Sequence, residues 1–267
     1  MKTAVIGCCC NYGYQQIEPW VVSLEKSGFK GDKVLLAYNI KQDLVDILQK
    51  KDWKVFPALN NQGNVCVNRF YNLHKFLQQT SYDYIVTTDV KDVIFQLDPI
   101  PEYRPPIIVS SENLTYEHEP WGKSNLIQSF GEDAYELLKN KTIVNAGVLG
   151  GDPKFFSEMC HLVYKLCEYR PAYIPGGGGP DQAALNVIKH NKLTLYDFVV
   201  TSSWACQAGT CADPSKIDSF RKFLLEPEPK MNISGKVMTH DNKVYSIIHQ
   251  YDRVPLWRQY VEKMYRE

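Results

Sequence analysis

The sequence predicts an α/β fold with a mostly parallel central sheet flanked by helices, and three observations carry that reading. Short apolar, β-branched runs alternate with amphipathic helical patterns over the first hundred residues. One of those runs, Tyr84 to Thr88, stops at two aspartates, Asp89 and Asp92, and ligands of parallel α/β sheets bind outside such carboxyl ends. No internal repeat or low-complexity linker divides the chain, so its 267 residues read as a single domain.

Taken in order, "TAVIG", "KVLLAY", "WKVF" and "YIVTT" are the expected strands. Helical patterns fall between them at Ile17 to Ser27, Gln42 to Lys50 and Val65 to Gln79. In the last of these Cys66, Phe70, Leu73 and Leu77 share one face. Strand-helix-strand repetition implies right-handed crossovers between parallel strands. Past the proline-rich "PIPEYRPP" the pattern changes: a strand "IIVSSEN", an interrupted helix in "NLIQSFGEDAYELLKN", and a strand "TIVNAGVLGG". A helix from "DPKFFSEM", the loop "YIPGGGGP" and a helix "DQAALNVIKH" follow. The tail holds a strand "KVYSIIH" and an amphipathic segment from Leu256 to Tyr265. Residues 1–100 thus form one half and residues 101–267 the other half with a closing segment.

Composition excludes several classes. Thirty basic and thirty acidic side chains give a formal net charge of zero, and no basic run exceeds a pair. That argues against nucleic acid as the main partner, because phosphate-backbone binding needs a positive patch. No window approaches the roughly 18 apolar residues of a membrane span. The apolar opening is too short for a signal-peptide core, so a cytoplasmic location is expected and the sequons at Asn113, Asn140 and Asn232 read as accidental. The eight cysteines, three of them adjacent at Cys8, Cys9 and Cys10, lack the spacing of a disulfide framework. Cys206 and Cys211 in "CQAGTC" have no second ligand pair nearby, which argues against structural zinc.

Asp89 and Asp92 are open to two readings. Aspartate is a common turn residue, which accounts for one carboxylate at a strand end. Two carboxylates in one tight turn repel each other unless a cation lies between them. Oxygen ligation with positions left for phosphate and water suits Mg²⁺ or Mn²⁺. His249 ends an apolar run and is followed by "QYDR"; a histidine so placed, taken alone, is more often a hydrogen-bonded surface residue than a ligand. Asp181 opens a predicted helix after Gly176 to Gly179 and also fits a helix cap. The glycine run lacks the Lys-Ser/Thr of a phosphate loop.

Together, "YDYIVTTDVKDVIF", "NAGVLGGDP", "GGGGPDQAALN" and "IIHQYDR" resemble a metal-dependent glycosyltransferase of the GT-A fold. The resemblance spans most of the chain and rests on the order of four motifs. It implies transfer of a sugar from a nucleotide-sugar donor, with UDP favoured, to a hydroxyl of a glycan or other acceptor, with Mn²⁺ or Mg²⁺ assisting departure of the diphosphate. The family's Asp-x-Asp element is here Asp89-Val90-Lys91-Asp92, with two intervening residues, which leaves open which carboxylate meets metal and which meets ribose. The same resemblance implies His249 as a further metal ligand and Arg69 as the basic residue steadying the aspartates or the donor. Tyr12 and Tyr14 are candidates to stack on a base, Asn145 to face the donor sugar, and Arg253 to meet the diphosphate.

Two mechanisms are compatible with these residues. With inversion, Asp181 is the expected base, and this is slightly favoured; with retention, Asp181 and Gln182 orient the sugar and stabilise a cationic transition state. The rival classes are a sugar nucleotidyltransferase, which would want a basic loop after the first strand where "GCCCNYGYQQ" has no Lys or Arg, and a non-catalytic carbohydrate-binding protein using Trp121 and Trp204.

Overall fold

A computed structural model of the chain describes residues 1–60, 64–175 and 177–266. Gly176 of the glycine run therefore lies outside the described residues. The first half follows the predicted alternation: β1 (Thr3–Cys10), α1 (Tyr14–Lys26), β2 (Asp32–Tyr38), α2 (Gln42–Lys50), β3 (Lys54–Pro57), α3 (Val65–Gln78), β4 (Tyr84–Thr88) and the short β5 (Val93–Phe95). The second half runs β6 (Ile107–Thr115), α4 (Pro120–Phe130), α5 (Glu132–Leu138), β7 (Thr142–Gly151), α6 (Pro153–Cys167), α7 (Asp181–His190), β8 (Phe198–Thr201) and β9 (Ala205–Gln207). It ends with α8 (Ala208–Cys211), α9 (Ile217–Phe220), β10 (Lys230–Met231), β11 (Val237–Met238), β12 (Ile247–His249) and α10 (Pro255–Tyr265).

Seven strands form the central sheet in the order β3-β2-β1-β4-β7-β6-β8. β1, β2, β3 and β4 are mutually parallel, as their helical crossovers require, and β6 is parallel to β8. β7 runs antiparallel to both β4 and β6, so the sheet is mostly and not wholly parallel. Strand alternation sends Ala4 and Ile6 of β1 toward α3, α6 and α7, and Val5 and Cys9 toward α1 and α2, giving one apolar core on each face. A second sheet of three short strands, β5-β12-β9, joins the C-terminal tail to the chain just after β4.

Several boundaries differ from the sequence reading for local reasons. α1 begins at Tyr14, ahead of the apolar run, because Gln16 Oε1 accepts from the Gly13 N–H at 2.8 Å and closes the first turn. The interrupted helix breaks at Gly131, whose φ of +88° only glycine adopts at no cost. The predicted strand from Lys243 is confined to Ile247–His249, since only those residues find ladder partners on both sides. β8 and β9 carry no alternating pattern and went unread.

Trp20 ties this core to the end of β4. It is fully buried, and its indole Nε1 donates to Thr88 Oγ1 at 2.8 Å, one residue before Asp89. The room for its ring comes from Gly7 on β1: a Cβ there would lie 2.7 Å from the Trp20 ring and 2.4 Å from Val90 Cγ1. Gly7→Ala therefore overpacks the face beneath the aspartates. We expect it to cost about 1–3 kcal/mol, read as a lower urea midpoint with an unchanged slope.

Candidate functional site

The two sheets meet where the two aspartates lie, and backbone pairing fixes each ligand position. The Asp89 N–H donates to the Gly147 carbonyl of β7 at 2.8 Å, while Val90 is buried in the core and pins the turn. β12 pairs with β5 so that His249 stands opposite Val93, and the Gln250 N–H donates to the Asp92 carbonyl at 2.7 Å. His249 Nε2 consequently lies 3.4 Å from Asp89 Oδ2 and 3.7 Å from Asp92 Oδ1. One ligand atom from each of these three residues falls within 4.8 Å of the others, and among the described residues this is the one such trio.

The surroundings fit a cation. His249 Nδ1 faces Gln207 Oε1 at 2.5 Å, and Gln207 Nε2 donates to Ser110 Oγ. With its amide so oriented, Gln207 holds the proton of a neutral imidazole on Nδ1 and leaves the Nε2 lone pair toward the aspartates. Gly147 keeps the space open, since a Cβ there would lie 2.4 Å from His249 Cε1 and 2.9 Å from Asp89 Oδ2. One imidazole and two carboxylates form a donor set that borderline divalent ions such as Mn²⁺ accept.

Arg69 on α3 joins this cluster to α7. Its guanidinium is paired with Asp89 Oδ1 and with Asp181 Oδ2, the latter at 2.8 Å. Burial works against the ionised forms, but the mutual attraction wins: Asp89 is held down at about 2 by Arg69 and His249, and Arg69 is raised above its usual range. Among the described residues no guanidinium pairs with Asp92. Burial, opposed by His249 and reinforced by Asp89 and Asp252, pushes its carboxyl up. Burial alone would lower His249, yet Asp92 and Asp89 override it and hold the ring above its ordinary value.

Around the trio the surface opens into a two-lobed cleft. The larger lobe, about 440 Å³, contains Asn145, Gln182, Asp181 and Arg253. The smaller, about 200 Å³, is walled by Cys8, Cys9, Cys10, Tyr12, Lys91 and Asp92 at the carboxyl end of β1. Arg69 and Asp89 border both lobes. Of the tyrosines, Tyr12 lines the small lobe, whereas Tyr14 starts α1 and packs on the core, lining neither. Trp121 lines the large lobe, while Trp204 is buried with its Nε1 donating to the Pro99 carbonyl at 2.8 Å, out of reach of any ligand. Cys206 and Cys211 are buried free thiols.

Gln207 and Glu112 are among the residues of the site that the sequence reading missed, with Glu119 and Lys216 of the large lobe. Gln207 carried no signal beyond its place in "CQAGTC". Glu112 lies in the predicted strand "IIVSSEN", where a lone carboxylate reads as solvent-facing; the structure brings it to the cleft beside Asn145 and Gln182. No helix of the described residues is long and apolar enough to cross a membrane. No family model and no curated protein matches the chain.

Removing the group that fixes the imidazole tautomer should weaken the trio without emptying it. Gln207→Ala is expected to reduce Mn²⁺ affinity about 10–100-fold, the usual cost of losing such a partner, as read by calorimetry or by the EPR signal of free Mn²⁺. Binding should also fall as pH drops. A cation must displace the proton from His249, whose raised value puts that competition above the usual histidine pKa near 6.5. Affinity titrated from pH 8 down to pH 6 checks this, and a flat profile would contradict it.

Proposed function

We propose that the protein is a glycosyltransferase of the GT-A type, moving a sugar from a nucleotide-sugar donor to an acceptor hydroxyl. The observation that carries this reading is the two-lobed cleft pivoting on Arg69 and Asp89, with Asp92 and His249 beside them, at the carboxyl ends of β1 and β4. A nucleoside diphosphate sugar has three parts of differing chemistry, and the cleft offers a counterpart to each. The small lobe, with Tyr12 on its wall, suits a flat base and its ribose. The Arg69–Asp89–Asp92–His249 cluster suits the diphosphate together with a cation. The large lobe, lined by amides and carboxylates, suits a polyhydroxylated ring.

A divalent cation held by Asp89, Asp92 and His249 would stabilise the negative charge on the departing diphosphate without a proton transfer. Arg253 lies on the rim of the large lobe, exposed, where its guanidinium can reach a phosphate. Asp181 is engaged by Arg69 at 2.8 Å and almost fully buried, an arrangement that supports an orienting role over that of a base. UDP is favoured over other nucleotides by the sequence resemblance, and Mn²⁺ over Mg²⁺ by the imidazole in the donor set.

The sugar nucleotidyltransferase reading is weaker because the segment after β1 brings thiols and a tyrosine, and no basic loop, to the small lobe, whose cations Arg69 and Lys91 come from α3 and the turn after β4. A non-catalytic carbohydrate-binding role loses one of its two aromatic platforms to the burial of Trp204.

The test is a panel of UDP- and GDP-sugars incubated with Mn²⁺, following slow hydrolysis of the donor. Turnover of one UDP-sugar, lost on chelation, is the expected result. In Asp92→Ala, Mn²⁺-dependent donor binding should fall by on the order of 10²-fold or more, beyond the loss of an outer partner. Stability should be unchanged, since the Gln250 contact uses the Asp92 backbone. Unchanged donor affinity in that variant would sink the metal-dependent reading.

A further inference from the structure

Of the two carboxylates of the large lobe that the cleft chemistry above does not use, Glu119 accepts from the Gly122 N–H as the cap of α4, which leaves Glu112. It lies within β6 where the ladder to β7 slips twice, between Val109 and Ser111 and again between Ser111 and Thr115. The following residue, Asn113, adopts a left-handed φ of +65°. A bulge of this kind re-aims a side chain, and here it turns Glu112 into the cleft. Asn113 is a residue type that tolerates that backbone, and its side chain is anchored on the Glu226 N–H and carbonyl, both at 2.7 Å.

Two amides then fix the carboxylate. Asn145 Nδ2 donates to Glu112 Oε1 at 2.8 Å and Gln182 Nε2 to the same oxygen at 2.9 Å. Neither amide can be turned over, because its own oxygen is taken: Asn145 Oδ1 accepts from the Gly147 N–H at 2.6 Å and Gln182 Oε1 from the Ala146 N–H at 3.2 Å. Both bonds fall on Oε1. Oε2 has no hydrogen-bond partner among the described residues, although the residue lines the cavity. Asp181 is the opposite case, its carboxylate tied to a buried guanidinium.

From this geometry we infer that Glu112 is the catalytic carboxylate of the large lobe, its open Oε2 taking the proton from the acceptor hydroxyl as that oxygen attacks the anomeric carbon. The inference rests on the glycosyltransferase reading. In the step, the acceptor O–H bond breaks and its proton passes to Oε2. The acceptor oxygen forms the new bond to the anomeric carbon, and the anomeric carbon–oxygen bond to phosphate breaks with its electron pair leaving on the diphosphate. Attack opposite the leaving group inverts the anomeric centre. Burial raises the proton affinity of Glu112 against the pull of Asn145, Gln182, His249 and Lys216, which suits a group that must accept a proton. Lys216 and Glu119 share its lobe.

Glu112→Gln is the decisive variant, because the Gln oxygen can still accept from both amides and only the open oxygen is replaced by NH₂. The assay uses the UDP-sugar that wild type turns over, Mn²⁺, and methanol as acceptor, since a methyl glycoside does not mutarotate. Expected are a kcat lower by on the order of 10²–10⁴, a donor Kd by calorimetry within about twofold of wild type, and an inverted methyl glycoside from wild type by NMR. A kcat within tenfold of wild type would overturn the inference. So would a collapse confined to Asp181→Asn. Should Glu112→Gln fail to fold, the wild-type product can still overturn the inference, because a retained configuration excludes a base acting in a single displacement, and Glu112→Asp, which shortens the reach of the same carboxylate, should then show the loss in kcat. Failure of wild type to bind or turn over any nucleotide sugar would remove the glycosyltransferase reading itself, a result distinct from an active, donor-binding Glu112→Gln.

Discussion

The buried guanidinium of Arg69 is the constraint on which the cleft depends. It sits on α3 and bridges Asp89, at the end of β4 and 20 positions away in the chain, to Asp181, at the start of α7 and 112 positions away. A buried charge of this kind costs several kcal/mol to desolvate and is tolerated only with its partners in place. Any arrangement that separates α7 from β4 leaves one of the two carboxylates without its cation. The register between the two halves is thereby selected by electrostatics as well as by packing. The start of α3 adds to it: Asn64 accepts from Cys66 N at 2.8 Å while its amide donates to the carbonyls of Ala172 at 2.8 Å and Gly178 at 3.1 Å, ahead of α7.

One of these elements, α7, also bonds the backbone of β7 where its ladder to β6 is irregular. Every buried N–H and C=O needs a partner. Asn186 brackets the Val144 backbone, accepting from its N–H at 2.9 Å and donating to its carbonyl at 2.8 Å, and Gln182, one turn earlier on α7, accepts from Ala146. A helix thus bonds the β7 backbone beside the point where its register with β6 shifts. The irregularity that aims Glu112 is supported from the helix that also carries Asp181, so binding groups and polar floor form one connected assembly.

The parts of this assembly legible in the sequence were those with a short-range signature. β1 to β4 and their helices show in apolar periodicity because each buries one face against an adjacent element. Asp89 and Asp92 are legible because a tight turn cannot place two carboxylates together without consequence, and His249 because it ends an apolar run. Long-range pairings left no such mark. That β7 runs antiparallel between β4 and β6 depends on which edges are free once the sheet assembles. Gln207 matters only because β9 lies in register with β12, setting it beside His249. Glu112 was invisible for the same reason: its orientation follows from a bulge and from amides 33 and 70 residues away. Tyr14, whose position after β1 suggested a ligand contact, begins α1, packs partly buried against the same core as Tyr12, and lines neither lobe.

How the carboxylates are sorted follows from how few cations the cleft holds. Asp89 lies against Arg69 and stays ionised well below the usual carboxylate range. Glu112 and Glu119, farther along the large lobe, have burial unopposed by a close guanidinium; Glu112 is raised, and Glu119 reaches about 7 through burial and its neighbour Glu112. One cavity therefore contains carboxylates fixed in charge beside others with enhanced proton affinity. Divergence of this kind separates groups suited to holding charge from groups suited to moving protons. Asp89 belongs to the first class by its partner and Glu112 to the second by its surroundings. The boundary between them runs through Asn145 and Gly147 of β7, where the Asn145 amide meets Glu112 on one side and the Gly147 carbonyl holds the Asp89 N–H on the other. A single extended strand thus lies between Asp89 and Glu112, holding the first through the Gly147 carbonyl and the second through the Asn145 side chain.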